Sequence, residues 1–113
     1  MGKIKKYENI ILELLKDYIY PPNVLDKTTT HLIVDHEHHH YQILTEGWVK
    51  DDDYMMNITM HLHIKSDEKI WILANWTEDD IAQMLVDRGV LKTDIVLGLL
   101  PVGVRSHTGY AVA

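Results

Sequence analysis

A β-hairpin is encoded by residues 38–64, HHHYQILTEGWVKDDDYMMNITMHLHI. Apolar and polar residues alternate through both halves of this segment, and three consecutive aspartates at residues 51–53 separate the halves. Alternation with a period of two is typical of half-buried strands, and aspartate is a frequent turn residue. The pattern therefore predicts two strands, at residues 38–49 and 54–64.

Two further strands, rich in β-branched and aromatic residues, are predicted on either side of this hairpin, at residues 28–34 and 69–74. The connections between the strands are short, which favours an antiparallel meander over crossover connections. The tail at residues 109–113 is a candidate edge strand. The apolar segment at residues 94–101 is compatible either with a short buried helical turn or with a strand.

The position of the aspartate turn suggests a register in which Val49 pairs with Tyr54. Counting outward from this pair predicts one core face, made of Tyr41, Ile43, Met56, Ile58, Met60 and Leu62. The opposite face is then built of cross-strand pairs, namely His40 with His63, Gln42 with His61, Leu44 with Thr59, and Glu46 with Asn57.

Two amphipathic helices complete the predicted fold. The first covers residues 3–18, where apolar residues recur at helical spacing, and Pro21 and Pro22 follow it. The second covers residues 78–88, capped by Thr77 and stopped by Gly89. We therefore expect one domain over residues 1–113, a two-layer α+β fold with both helices on one face of an antiparallel sheet of four to five strands.

The charge and composition of the chain restrict its function. It has 17 acidic and 11 basic residues and a formal net charge of -6, so strong direct binding to nucleic acid is not expected. It has no cysteine, which excludes disulfides and thiolate metal sites and suits a reducing compartment. No segment resembles a signal peptide or a membrane span, so we expect a cytoplasmic protein without membrane association.

Histidines are concentrated in the predicted hairpin. Alternate residues of a strand share a face, so His38, His40, His61 and His63 form a candidate site for zinc or nickel. The alternative is an exposed polar sheet face that is enriched in histidine without binding metal.

No sequence motif indicates catalysis, because glycine-rich phosphate loops and a nucleophile elbow are both absent. We therefore expect a protein that is not an enzyme and holds no cofactor. Large aromatic residues and arginine often anchor protein interfaces. On this basis the candidate partner-binding residues are Trp48, Trp76, Arg105 and Tyr110. A strand edge near the tail is also suited to pairing with a companion or with a second copy in a homodimer.

Several segments, in order along nearly the whole chain, resemble the XisI family of excision controlling factors of the fdxN element. The resemblance rests on His40 to Gln42, Gly47 and Trp48, Lys69 to Ile72, Thr77 and Glu78, Ile81 and Ala82, Gly89 and Val90, Asp94 to Gly98, Arg105, and Thr108 to Ala113.

The resemblance to this family implies a function without catalysis. It implies an accessory protein required alongside a site-specific recombinase during DNA rearrangement, with a companion similar to XisH as its partner. Because that companion resembles the nuclease fold, an antitoxin-like role beside it is a weaker alternative. No catalytic residues follow from the resemblance.

Overall fold

A computed structural model describes residues 2–19 and 27–113 of the chain. Its elements are, in order, α1 (Lys3–Lys16), β1 (Lys27–Asp35), β2 (His40–Lys50), β3 (Asp53–Ile64), β4 (Ile70–Asn75), α2 (Ile81–Asp87), a 3-10 turn (Lys92–Asp94), β5 (Ile95–Val96) and α3 (Val102–Arg105). All four strands and both long helices predicted from periodicity are present, with ends shifted by a few residues. Among the described residues, no helix is long and apolar enough to span a membrane.

The five strands form one sheet in the order β1-β2-β3-β4-β5. The first four are antiparallel neighbours, as the short connections predict. β5 is parallel to β4, because the chain crosses through α2 between them and returns in the same direction. The predicted tail strand is reduced to one isolated bridge between Ala111 and Val96. The apolar segment after α2 contains the short strand β5, preceded by the 3-10 turn.

The hydrophobic core lies between one face of the sheet and the helices α1 and α2, which confirms the two-layer α+β prediction. Its fully buried side chains include Ile11, Leu14 and Leu15 of α1, Ile81 and Leu85 of α2, and Tyr41, Ile43, Met60, Leu62 and Ile72 of the strands. The apolar sides of the two helices therefore cover the sheet face that carries Tyr41 and Leu62.

Two irregularities alter the predicted register of the hairpin. Trp48 pairs with Tyr54, so Val49 is an extra residue in β2, and the predicted pair of Val49 with Tyr54 is wrong. Thr59 is an extra residue in β3, between the pairs formed by Met60 and Ile58. Because one extra residue lies in each strand, the two shifts cancel for the pairs from Ile43 with Met60 to His40 with His63. The predicted pairs of His40 with His63 and of Gln42 with His61 are therefore confirmed.

Between the two irregularities the predicted faces are inverted on β3. Leu44 pairs with Ile58 instead of Thr59, and Glu46 pairs with Met56 instead of Asn57. Met56 and Ile58, predicted in the core, are 60% and 41% exposed on the other face. A shift by one residue exchanges the two faces of a strand, which explains both errors.

The ends of the helices differ from prediction in their caps. Asp80, not Thr77, caps α2: its Oδ1 accepts a hydrogen bond of 3.1 Å from the backbone N–H of Gln83. Thr77 instead accepts a hydrogen bond from the backbone N–H of Asp79 in the preceding turn. Gly89 ends α2 with φ of 107°, as predicted. The predicted role of Pro21 and Pro22 lies outside the described residues.

Candidate partner-binding face

The sheet face opposite α1 and α2, called here the open face, carries a band of exposed hydrophobic side chains. This apolar stripe consists of Ile33, Trp48, Tyr54, Met56 and Ile58, which are between 41% and 60% exposed. The stripe exists because the two irregularities turn Met56 and Ile58 away from the core, onto the face of their strand partners Glu46 and Leu44. An exposed apolar patch of this kind typically marks a surface that binds another molecule.

Polar contacts hold the aromatic end of the stripe in place. The Tyr54 hydroxyl donates a hydrogen bond of 3.2 Å to Glu46, whose other carboxylate oxygen lies 2.9 Å from His31 Nε2. The hydrogen bond with His31 lowers the pKa of Glu46 below its usual range. Trp48 packs edge-on against Tyr54, with ring centres 5.2 Å apart. The two aromatic rings are therefore presented in a defined arrangement at the end of the hairpin.

Trp76 extends the exposed apolar surface beyond β4. Its side chain is 82% exposed, the most exposed large hydrophobic residue among those that the structure describes. Its backbone N–H donates a hydrogen bond of 2.9 Å to the carbonyl of Thr59, the extra residue of β3. The indole lines a shallow depression together with Asn57, Ile58 and Thr59. Of the four candidate partner-binding residues, Trp48 and Trp76 therefore lie on accessible surface.

Arg105 and Tyr110 have local roles instead. The Arg105 guanidinium donates hydrogen bonds to the backbone carbonyls of Leu100, Val112 and Gly98, and it lies 5.4 Å from the centre of the Trp71 ring. Tyr110 is partly buried against the core. Both side chains hold the carboxyl-terminal segment against the sheet. Their role in partner binding remains a prediction that the geometry does not favour.

Three of the four candidate metal ligands meet on the open face. His40 Nδ1 lies 2.9 Å from His61 Nε2, and the ring of His63 stacks on that of His40 with centres 3.8 Å apart. His38 is directed elsewhere, to Asp35 Oδ2 at 2.9 Å. Within residues 2–19 and 27–113, no group of three or more histidines, aspartates or glutamates is arranged to hold a metal ion. The metal hypothesis therefore remains a prediction without support from the geometry.

The surroundings of His61 and His63 disfavour the charged form of both rings. Burial lowers the pKa of His61 and of His63, and the nearby His40 lowers both further. The contact of His40 with His61 is a hydrogen bond between two ring nitrogens. The lowered pKa values favour the neutral form of His61 and of His63 near neutral pH.

Glu8 has a role that the helical pattern alone did not assign, because the sequence places it with the polar residues of α1. It is only 7% exposed, and its Oε2 accepts a hydrogen bond of 2.6 Å from the buried Tyr41 hydroxyl. His36 Nδ1 lies 3.2 Å from the same oxygen. Burial raises the pKa of Glu8, but the hydrogen bonds from Tyr41 and His36 outweigh this effect and lower it. The spacing of Ile4, Glu8 and Ile11 could have placed Glu8 on the buried side.

Comparison with known proteins identifies the family. The model of the family described as XisI protein matches residues 1–112. The chain belongs to the XisI family. Its fold agrees with the crystal structure of a XisI-like protein from Anabaena variabilis, with a TM-score of 0.86 and 36% identity over 97% of this chain and 99% of that chain.

A second XisI structure is similar to the same extent. The crystal structure of the fdxN element excision controlling factor XisI from Anabaena variabilis matches with a TM-score of 0.85 and 31% identity, over 99% of this chain and 100% of that chain. No curated protein sequence matches the chain significantly. This XisI family member therefore shares the fold of its relatives over their full length.

Proposed function

We propose that this XisI family member is a non-catalytic accessory factor in recombinase-mediated DNA excision, and that it acts in the cytoplasm by binding a companion similar to XisH. The general role is supported by family membership and by the likeness to a protein named as an excision controlling factor. The observation that supports action through protein contacts is the apolar stripe, continued by Trp76.

The composition of this surface suits a protein partner. Trp, Tyr and Met residues are enriched at the centres of protein interfaces, where they bury large apolar areas. Trp48, Tyr54, Met56 and Trp76 are of this kind, and all four are at least 45% exposed. We therefore place the companion over the end of the hairpin and against the indole of Trp76.

The basic side chains are poorly placed to hold a phosphate backbone instead. Lys3 forms an ion pair of 3.0 Å with Asp94. The Lys65 ammonium lies 3.7 Å from the centre of the Trp71 ring, and the Arg105 guanidinium is bonded to backbone carbonyls. With several cations occupied internally and a net charge of -6, DNA contacts would have to be supplied by the companion or by the recombinase complex.

Co-purification tests the proposal. The tagged chain is co-expressed with a XisH-like companion, and the stoichiometry of the eluted complex is measured by light scattering. We expect a stable complex. Failure to form a complex when both proteins are folded would contradict the proposal.

Matched variants locate the contact surface. Trp76→Ala and Met56→Ala are expected to weaken the complex about tenfold or more, because interface aromatics and their neighbours carry much of the binding energy. Leu91→Ala is the control: Leu91 is 61% exposed, but it lies in the connection between α2 and β5, outside the open face. Equal affinities for all three variants would show that the companion binds elsewhere.

A further inference from the structure

β3 has strand neighbours on both sides over only part of its length. On one side, β2 pairs with it from His63 back to Asp53. On the other side, β4 pairs only with Met60 to Ile64, and the last contact is the hydrogen bond from the Trp76 backbone N–H to the Thr59 carbonyl. The structure describes all residues from Asp53 to Ile58, and it gives their backbone groups no hydrogen bond on the side away from β2. These residues are called here the β3 edge.

The β3 edge is accessible to an incoming strand. Five of its residues are exposed to solvent and Met55 is half-buried. Alternate residues of a strand direct their N–H and C=O groups to the same side, so the edge offers a row of unpaired donors and acceptors. Its sequence, DYMMNI, contains no proline, glycine or lysine, which are common means of blocking an edge. An unprotected edge of this kind can accept a strand from another molecule.

Trp76 adds a side-chain contact to the backbone of this edge. The indole is 82% exposed, and it lines a shallow depression with Asn57, Ile58 and Thr59 at the inner end of the β3 edge. A strand that paired with β3 here would pass beside the indole and cover it. Backbone pairing together with a pocket for a side chain is the usual way in which a strand is recognised at a sheet edge.

Acidic side chains lie at both ends of the β3 edge. The turn before β3 carries Asp51, Asp52 and Asp53, and the turn after Trp76 carries Glu78, Asp79 and Asp80. All six are exposed, and within the described part of the chain none of them forms an ion pair. The electrostatic field along the edge therefore favours a strand with basic side chains.

The same charges disfavour a second copy of this chain. Antiparallel pairing of two β3 edges would place the turn that ends in Asp53 of one copy beyond Ile58 of the other, next to Trp76. The aspartates of that turn would then approach Glu78, Asp79 and Asp80, and like charges at an interface are repulsive. The occupant that fits the edge is therefore a different protein.

We propose that an extended, basic segment of the companion pairs with the β3 edge as an additional strand, beside the indole of Trp76. This inference rests on the proposed function and specifies how the companion binds. The added strand extends the line of β4 along β3, so that β3 becomes paired on both sides from Asp53 to Ile64.

Hydrogen exchange tests the backbone pairing directly. Amide exchange of the complete chain is measured residue by residue by NMR, first alone and then in complex with the XisH-like companion. We expect alternate amides between Asp53 and Ile58 to exchange fast in the free chain and at least about tenfold more slowly in the complex. A contact made by side chains alone would not produce this alternating pattern.

Charge reversal tests the basic character of the partner segment. The double variant Asp52→Lys/Glu78→Lys should raise the dissociation constant of the complex about tenfold, with a larger effect at low salt. The matched control is Glu13→Lys/Glu37→Lys, which makes the same change of net charge at exposed residues of α1 and of the turn between β1 and β2. The control should bind the companion with an affinity close to that of the wild type.

The outcomes separate this inference from the proposed function. If the folded proteins form no complex, the proposed function is wrong and this inference with it. A stable complex in which the amides of the β3 edge exchange as fast as in the free chain overturns the strand pairing alone. Protection that rises with the concentration of the chain by itself would identify a second copy as the occupant and overturn the proposal. Equal weakening by the two double variants would contradict a basic partner segment.

Discussion

The Tyr41 hydroxyl donates a hydrogen bond of 2.6 Å to Glu8 Oε2 and thereby joins the centre of the sheet to the first helix. Both residues are buried, with Tyr41 fully enclosed in the core. A second buried contact of the same kind, from the Tyr7 hydroxyl to Asp94 at 2.6 Å, joins α1 to the start of β5. The amino-terminal helix is therefore held by two buried tyrosine to carboxylate bonds as well as by its apolar side chains.

Tyr41→Phe should destabilise the protein by about 1.5–3 kcal/mol, because the charged Glu8 loses a buried hydrogen-bond donor. Urea unfolding at neutral pH measures the change in the free energy of unfolding. The control is Tyr54→Phe, which removes an exposed hydroxyl bonded to Glu46 at 3.2 Å and should cost no more than about 0.5 kcal/mol. Equal costs for the two variants would contradict a special role for the bond to Glu8.

Two methionines of β3 test the irregular register. Met60→Ala should cost about 2–5 kcal/mol because Met60 is fully buried, whereas Met56→Ala should change stability by no more than about 0.5 kcal/mol because Met56 is 60% exposed. The measurement is again chemical unfolding. Similar large losses of stability at both positions would contradict the irregular register and indicate that both side chains face the core.

Gly47 permits the close approach of β1 and β2. Its φ is 141°, and a Cβ atom at this position would lie 2.2 Å from the carbonyl oxygen of Lys27. Gly47→Ala should therefore lower the melting temperature and cost roughly 2 kcal/mol or more. Gly103→Ala is the control, since a Cβ atom there meets nothing within 4 Å. A Gly47 variant as stable as the control would refute the close approach.

The histidine cluster predicts a pH dependence of stability. Burial, reinforced by the electrostatic effect of the neighbouring His40, lowers the pKa of His61 and His63 in the folded protein. The unfolded chain then binds more protons than the folded one, so stability is complete above the ordinary histidine pKa of about 6.5 and falls as the pH drops below it.

The double variant His61→Asn/His63→Asn should lose less stability than the wild type on acidification. Unfolding free energies are compared between about pH 7.5 and pH 5.5, a range that avoids the ordinary titration of carboxylates. Comparing each protein with itself at the two pH values removes any constant cost of the substitutions. An equal fall in both proteins would assign the pH dependence to other groups.

The elements of the fold were predictable because their signals are local. Period-two alternation predicts the four antiparallel strands, and apolar residues at helical spacing from Ile4 to Leu15 predict α1. The sequence does not distinguish a strand from a helical turn at β5, because only two residues pair there, Ile95 with Ile70 and Val96 with Trp71. A pairing of two residues leaves no periodic signal in the sequence. The position of β5 is instead set by the path of the chain through α2 back to the sheet.

The candidate site was only partly predictable. The chemistry of Trp48 and Trp76 makes them candidate interface residues, and both are exposed. Met56 and Ile58 were assigned to the core, because an extra residue such as Thr59 has no distinctive sequence signal and its effect is to exchange the faces of a strand. Arg105 is an interface candidate for the same chemical reason, yet its guanidinium is bonded to the backbone carbonyls of Leu100, Val112 and Gly98.

The sequence by itself determined the class of fold and the strands of the hairpin, because hydrophobic periodicity is a property of neighbouring residues in the chain. It also determined the family, because the short segments that the family shares can be read directly from the sequence. Only the tertiary structure decided which side chains became surface and which became core between Val49 and Thr59. That choice depends on where two strands each accommodate one extra residue, which is settled by hydrogen bonding and packing between strands and not by either strand alone. The apolar stripe is the result of that choice.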